Sequence, residues 1–139
     1  MFGFFREKYN LGDVLYCRKS MCTHYGIYVG KGQVVHFASD GKGEILNPEA
    51  AVVKKTSLKV FSYGEDIYVN NSPTRLSPEQ IVSNATSQIG SNEGGYDSIT
   101  NNSEHFARWC ETGVKQTSAK NTILNGTATA IKGILDLFS

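Results

Sequence analysis

The sequence predicts an α+β fold, an antiparallel sheet packed on helices, with strand-like runs in its first half and helical periodicity in its second. Two observations carry this. The runs THYGIYVG and QVVHFAS, rich in β-branched and aromatic residues, flank Gly30-Lys31-Gly32, which is a hairpin signal. Ser77-Pro78-Glu79 and Asn102-Ser103 then stand where helices begin, each ahead of apolar residues at near-3.6 spacing.

Taken in order, VLYCRKS after Gly12-Asp13 reads as the first strand, and the hairpin follows with a three-residue loop. If Val29 faces Gln33, then Gly26 faces His36 and His24 faces Ala38. His24 and His36 therefore share a sheet face as diagonal neighbours, about 7–8 Å apart along the backbone. Residues 40–57 read as a polar loop, and LKVFSYG and EDIYVNN as further strands. The first helix carries Ile81, Val82, Ala85 and Ile89 and stops at Gly90; SNEGGYDSIT is a loop. The second helix starts at the caps Asn102 and Ser103, carries Phe106, Ala107, Trp109 and Cys110, and closes at Gly113. The domain is expected to span 1–115. Residues 116–139 form a tail with an amphipathic stripe at Leu124, Ala128, Ile131, Leu135 and Phe138, weakened by Gly126 and Gly133.

Fourteen basic against thirteen acidic residues give no excess of the sort that draws a chain onto nucleic acid. Three cysteines, Cys17, Cys22 and Cys110, lack the spacings of zinc sites or disulfide frameworks and point to a reducing, cytoplasmic setting. The opening MFGFFREKYN lacks the apolar core of a secretory signal, so the sequons at Asn70, Asn84, Asn101 and Asn125 are expected to go unused. No run reaches the roughly 18 apolar residues that cross a bilayer.

Two histidines on one hairpin face and a polar helix start converge on nucleophilic catalysis. A nucleophile at a helix N-terminus has its anion stabilised, an imidazole beside it accepts the proton, and a second polar group holds that imidazole's tautomer. His24 and His36 supply the last two roles, and position 103 the first. Cys110, two turns along the helix, is expected in the core, as are the faces of Trp109 and the tyrosines at 25, 28, 63 and 68. Cys22, two residues from His24, is a weaker nucleophile candidate, and His105 is expected to support the fold.

Gly12-Asp13, HYGIYVGKGQVVHFAS, SPEQIVSNATSQIG and NNSEHFARWCETG, in that order across residues 9 to 115, resemble the lecithin:retinol acyltransferase-like family. The nearer likeness is to its short branch, the HRAS-like suppressor phospholipase A/acyltransferases. The resemblance implies a permuted NlpC-type, papain-like thiol hydrolase fold, no cofactor and no metal. It also implies phospholipase A1/A2 and acyltransferase chemistry on glycerophospholipids through a thiol acyl-enzyme. By the same resemblance His24 matches the general base, His36 its orienter and Ser103 the nucleophile's place, with Tyr25 and Asn102 flanking. The family has cysteine where this chain has Ser103. An alcohol is a far weaker nucleophile beside histidine than a thiol, so the chain is expected to be an impaired or inactive variant, natural or introduced. The expected partners are phospholipid and a membrane surface met peripherally through the tail. The alternative is a catalytically silent lipid- or protein-binding module of the same fold.

Overall fold

The computed structural model describes residues 7–19, 22–38, 51–91 and 99–114, with side chains from 103 onward in the last stretch. Its centre is a five-stranded antiparallel sheet in the order β4-β3-β2-β1-β5. The strands are β1 (Val14–Arg18), β2 (Thr23–Gly30), β3 (Gln33–Ala38), β4 (Val52–Ser57) and β5 (Tyr68–Val69), with helices α1 (Leu58–Ser62), α2 (Pro78–Ser87) and α3 (Ile99–Thr112). The architecture is α+β with an antiparallel sheet, as expected. The tail stripe after residue 114 lies outside the described residues, and among these no helix is long and apolar enough to cross a membrane.

Both faces of the sheet are covered, so both sets of alternating side chains are apolar. Val14, Ile27, Val35, Phe37 and Val53 meet Ile81 and Ala85 of α2 and Phe106, Ala107 and Cys110 of α3. On the opposite face Leu15, Cys17, Tyr28 and Val34 pack around Phe61 of α1. Tyr63 and Tyr68, expected among the packed aromatics, are instead exposed, because one ends α1 and the other lies on a two-residue edge strand.

The hairpin register pairs Ile27 with Val35 and Tyr28 with Val34, the register read from sequence, but its turn is tighter than expected. Gly30 pairs with Gln33, and a register shift between Tyr28 and Gly30 takes up the extra residue as a bulge at Val29. Lys31 and Gly32 both hold positive φ, 54° and 73°, the twist-matched backbone of a two-residue hairpin turn.

Two assignments change between 52 and 62. Val52–Ser57, read as loop because four of its six residues are polar, is the edge strand β4, pairing His36 with Lys54 and Val34 with Thr56. Lysines suit an edge that should not recruit a further strand. LKVFS, read as a strand, is the short helix α1. Ser57 Oγ accepts from the Val60 amide at 3.1 Å, and the Tyr63 amide, with Tyr63 in the left-handed region, closes the end on the Lys59 carbonyl at 2.7 Å. Caps and the burial of Phe61 outweigh the alternation of its sequence.

Helix α2 starts as read, with Ser77 Oγ accepting from the Gln80 amide at 3.1 Å and Pro78 in the first turn, but it ends at Ser87 and leaves Ile89 exposed. Helix α3 starts earlier than read. It runs from Ile99, which makes Ser103 its fifth residue and not a cap. Ser103, Phe106, Ala107, Cys110 and Glu111 form the buried stripe at helical spacing, and that packing overrides the cap preference of Asn and Ser.

The carboxylate of Glu111 ties α3 to the rest of the chain. It meets Arg108 Nη1 at 2.8 Å and Arg75 Nε at 3.1 Å and accepts from the Ser72 amide at 2.6 Å, while Arg75 Nη2 reaches the Gly12 carbonyl at 2.6 Å.

Gly26 lies where β2, β3 and α1 come closest. A Cβ there would sit 2.6 Å from Val34 Cγ1, 2.9 Å from Phe61 Cε1 and 3.1 Å from His36 Cβ. Gly26→Ala is expected to destabilise the chain by about 1–3 kcal/mol through overpacking. Urea unfolding measures this, and an unchanged midpoint would mean that this wall yields freely.

Candidate active site

The hairpin register brings two histidines from neighbouring strands onto the α1 face of the sheet. His24 Nε2 and His36 Nδ1 are 2.9 Å apart, with ring centroids at 5.0 Å and planes 83° to one another. Phe61 lies against both rings, at 5.3 Å from His24 and 5.1 Å from His36. The pair is sealed, with His24 2% and His36 0% exposed. The far side of His36 is also held, since Nε2 lies 2.7 Å from Thr56 Oγ1.

Ser103 approaches from the helical side. The β2–β3 ladder reaches Ile27 opposite Val35, and two residues further along β2 the Tyr25 amide donates to Ser103 Oγ at 3.3 Å. The hydroxyl of α3 therefore sits at the His24–Tyr25 peptide, fully buried. The bond to His36 uses Nε2 of His24, and Nδ1 is the ring nitrogen that remains.

The other expected site residues fall in different places. Tyr25 presents its amide to Ser103, but its ring is on the opposite face from the histidines, against Tyr16 at 5.7 Å and under the Arg108 guanidinium at 5.8 Å. Asn102 precedes Ser103 on α3, and its side chain lies outside the described residues. Cys110 is a core residue, its thiol pushed up by burial. Cys22 is half-buried just before β2. Cys17 is directly opposite His24 in the β1–β2 register, but burial raises its thiol to about 11, so it stays protonated. His105 is half-buried on α3.

Thr56 and Phe61 were missed by the sequence reading. Both lie in segments assigned to the wrong kind of element.

The electrostatics favour neutral rings. Burial, then the neighbouring His36 and the Lys19 ammonium, hold His24 well below its ordinary 6.5. Burial also takes His36 down to about 3, opposed by its contact with the Phe37 carbonyl. A neutral imidazole can take a proton from a hydroxyl or thiol, and a second imidazole bonded to it fixes its orientation. The expected help from the helix end is smaller than a cap position would give. Only the first turn of a helix has unpaired N–H groups and strong dipole stabilisation, and residue 103 comes after it.

The same burial sets a pH dependence. Unfolded histidine protonates near 6.5, whereas the folded pair resists protonation, so the unfolded chain binds more protons as the pH drops. Stability is therefore complete above about 6.5 and is lost below it. Between pH 7 and pH 5 the two rings together are expected to remove about 3–4 kcal/mol, at close to 1.4 kcal/mol per ring per pH unit. Chemical unfolding at the two pH values measures the loss, and equal stabilities would contradict a neutral buried pair.

The family model described as Lecithin retinol acyltransferase matches residues 7–116. Phospholipase A and acyltransferase 2 of Homo sapiens is 32% identical over 123 residues, covering 80% of this chain and 75% of its own length. Lecithin retinol acyltransferase of Mus musculus is 29% identical over 126 residues, covering 73% of this chain, and that of Homo sapiens is 28% identical over 129 residues, covering 77%. The chain spans only 54% and 56% of the lengths of these last two. With the matched region containing every described strand and helix, the chain belongs to the lecithin retinol acyltransferase family.

Proposed function

We propose that this chain has the site of a phospholipase A1/A2 and acyltransferase acting on glycerophospholipids, with residue 103 in the nucleophile's position and serine there suppressing the activity. The observation that carries the reading is the 2.9 Å bond between His24 and His36 beside a helix side chain that meets the His24–Tyr25 peptide. Family membership supports acyl chemistry in general, and the names of the relatives supply the phospholipid and retinyl alternatives.

In this reading His24 Nδ1 takes the proton of the residue-103 side chain as that side chain attacks an ester carbonyl. The new bond from residue 103 to the acyl carbon replaces the ester C–O bond, and the proton passes from His24 to the departing alcohol oxygen. Water, an amine or a lysophospholipid then takes the acyl group by the same steps in reverse. His36 holds Nε2 of His24 throughout, so that the charge developing on the ring has a partner. The Tyr25 N–H, already aimed at the 103 side chain, is a candidate donor to charge developing there. Serine fits this geometry but not the energetics. A neutral imidazole matched to a thiol leaves the alcohol un-ionised, which is why we assign the chain low activity.

The domain boundary at 115, a peripheral membrane contact through residues 116–139 and a cytoplasmic setting belong to the same proposal. A silent binding module of the same fold is the second reading, favoured by the complete burial of Ser103 and its bond to the Tyr25 amide. Ser103→Cys separates the two. Assayed on phospholipid vesicles, it is expected to raise ester cleavage on the order of 100-fold, and His24→Ala in that background to abolish the gain. A folded cysteine variant that cleaves nothing would leave the binding module as the function.

A further inference from the structure

The protons on His36 have competing destinations. Its Nδ1 lies 2.9 Å from His24 Nε2 and 3.0 Å from the Phe37 carbonyl oxygen, and its Nε2 lies 2.7 Å from Thr56 Oγ1. A carbonyl only accepts, so Phe37 favours a proton on Nδ1. Thr56 favours the opposite. Its hydroxyl donates to the Ser57 carbonyl at 3.2 Å, and with that proton committed Oγ1 is an acceptor, which places the His36 proton on Nε2.

The two arrangements have opposite consequences for His24. With Nε2 of His36 protonated, His36 Nδ1 accepts from His24 Nε2–H, and the lone pair of His24 is on Nδ1. With Nδ1 of His36 protonated, His24 Nε2 must accept, its own proton moves to Nδ1, and that nitrogen cannot serve as a base. The choice is made at one hydroxyl.

Resting on the acyl-transfer reading above, we propose that Thr56 is a positioning residue for the histidine pair: its hydroxyl accepts Nε2–H of His36, donates to the Ser57 carbonyl, and so keeps His24 in the tautomer with a basic Nδ1. The location is suited to the role. Thr56 pairs with Val34 in the β3–β4 ladder, and the next residue, Ser57, caps the helix that lays Phe61 on both rings. One strand-to-helix junction therefore sets both the packing and the protonation of the pair.

Two-bond ¹H–¹⁵N correlation spectra of the histidine-labelled chain at pH 7.5 read the tautomers directly, without any activity. In the unmodified chain both rings are expected to carry the proton on Nε2. Thr56→Val, which keeps the shape and removes the oxygen, is expected to move both protons to Nδ1, and Thr56→Ser to leave them in place. In a Ser103→Cys background, Thr56→Val is expected to lower kcat by at least about tenfold with little change in KM, and Thr56→Ser to retain activity within about threefold. A proton on Nδ1 of His36 in the unmodified chain overturns the proposal, as does a valine variant with unchanged spectra and kcat. If the histidine protons shift on Thr56→Val while Ser103→Cys is inert, the acyl-transfer reading falls and the control exerted by Thr56 stands.

Discussion

Two imidazoles bonded to each other inside a sheet are costly to bury, and much of the surrounding structure follows from meeting that cost. An unsatisfied buried polar group loses about 1–3 kcal/mol, so each ring nitrogen needs a partner. The bond between His24 and His36 satisfies one nitrogen on each ring, and Thr56 takes another. Phe61 then closes the face against water, which keeps both rings neutral. The absence of a side chain at Gly26 lets Phe61 and His36 approach this closely.

Helix α3 holds Ser103 against the hairpin. Its position depends on apolar packing through Phe106, Ala107 and Cys110 and on a buried carboxylate, Glu111, held by two arginines and a backbone amide. Burial of Glu111 is tolerated because all of these partners converge on it; an unpaired charge there would be strongly destabilising. The network also binds the segment before α2 and the Gly12 carbonyl ahead of β1, so that α3 and the sheet are registered against the same backbone.

Position 103 places a serine hydroxyl where α3 meets the hairpin. Its hydroxyl lies in the fold's natural meeting point of helix and hairpin, with the Tyr25 amide as donor. Being the fifth residue of α3, it gains less from the helix end than a cap residue would. In general a thiol ionises near neutral pH far more readily than an alcohol does.

The sequence by itself determined the α+β class, the hairpin register, the start of α2, the shared face of His24 and His36 and the family, because alternation, proline and cap chemistry, and ordered motifs are local signals. Three of its misreadings share one reason. VVKKTS became a strand through pairing with β3, LKVFS became a helix through burial of Phe61, and α3 began at Ile99 through the packing of its stripe. Each depends on a partner distant in the chain, which local preference does not encode. For the same reason Thr56, Phe61 and Glu111 were invisible as site and anchor residues: their roles depend on contacts with segments distant in the chain, and only the folded chain brings those contacts together.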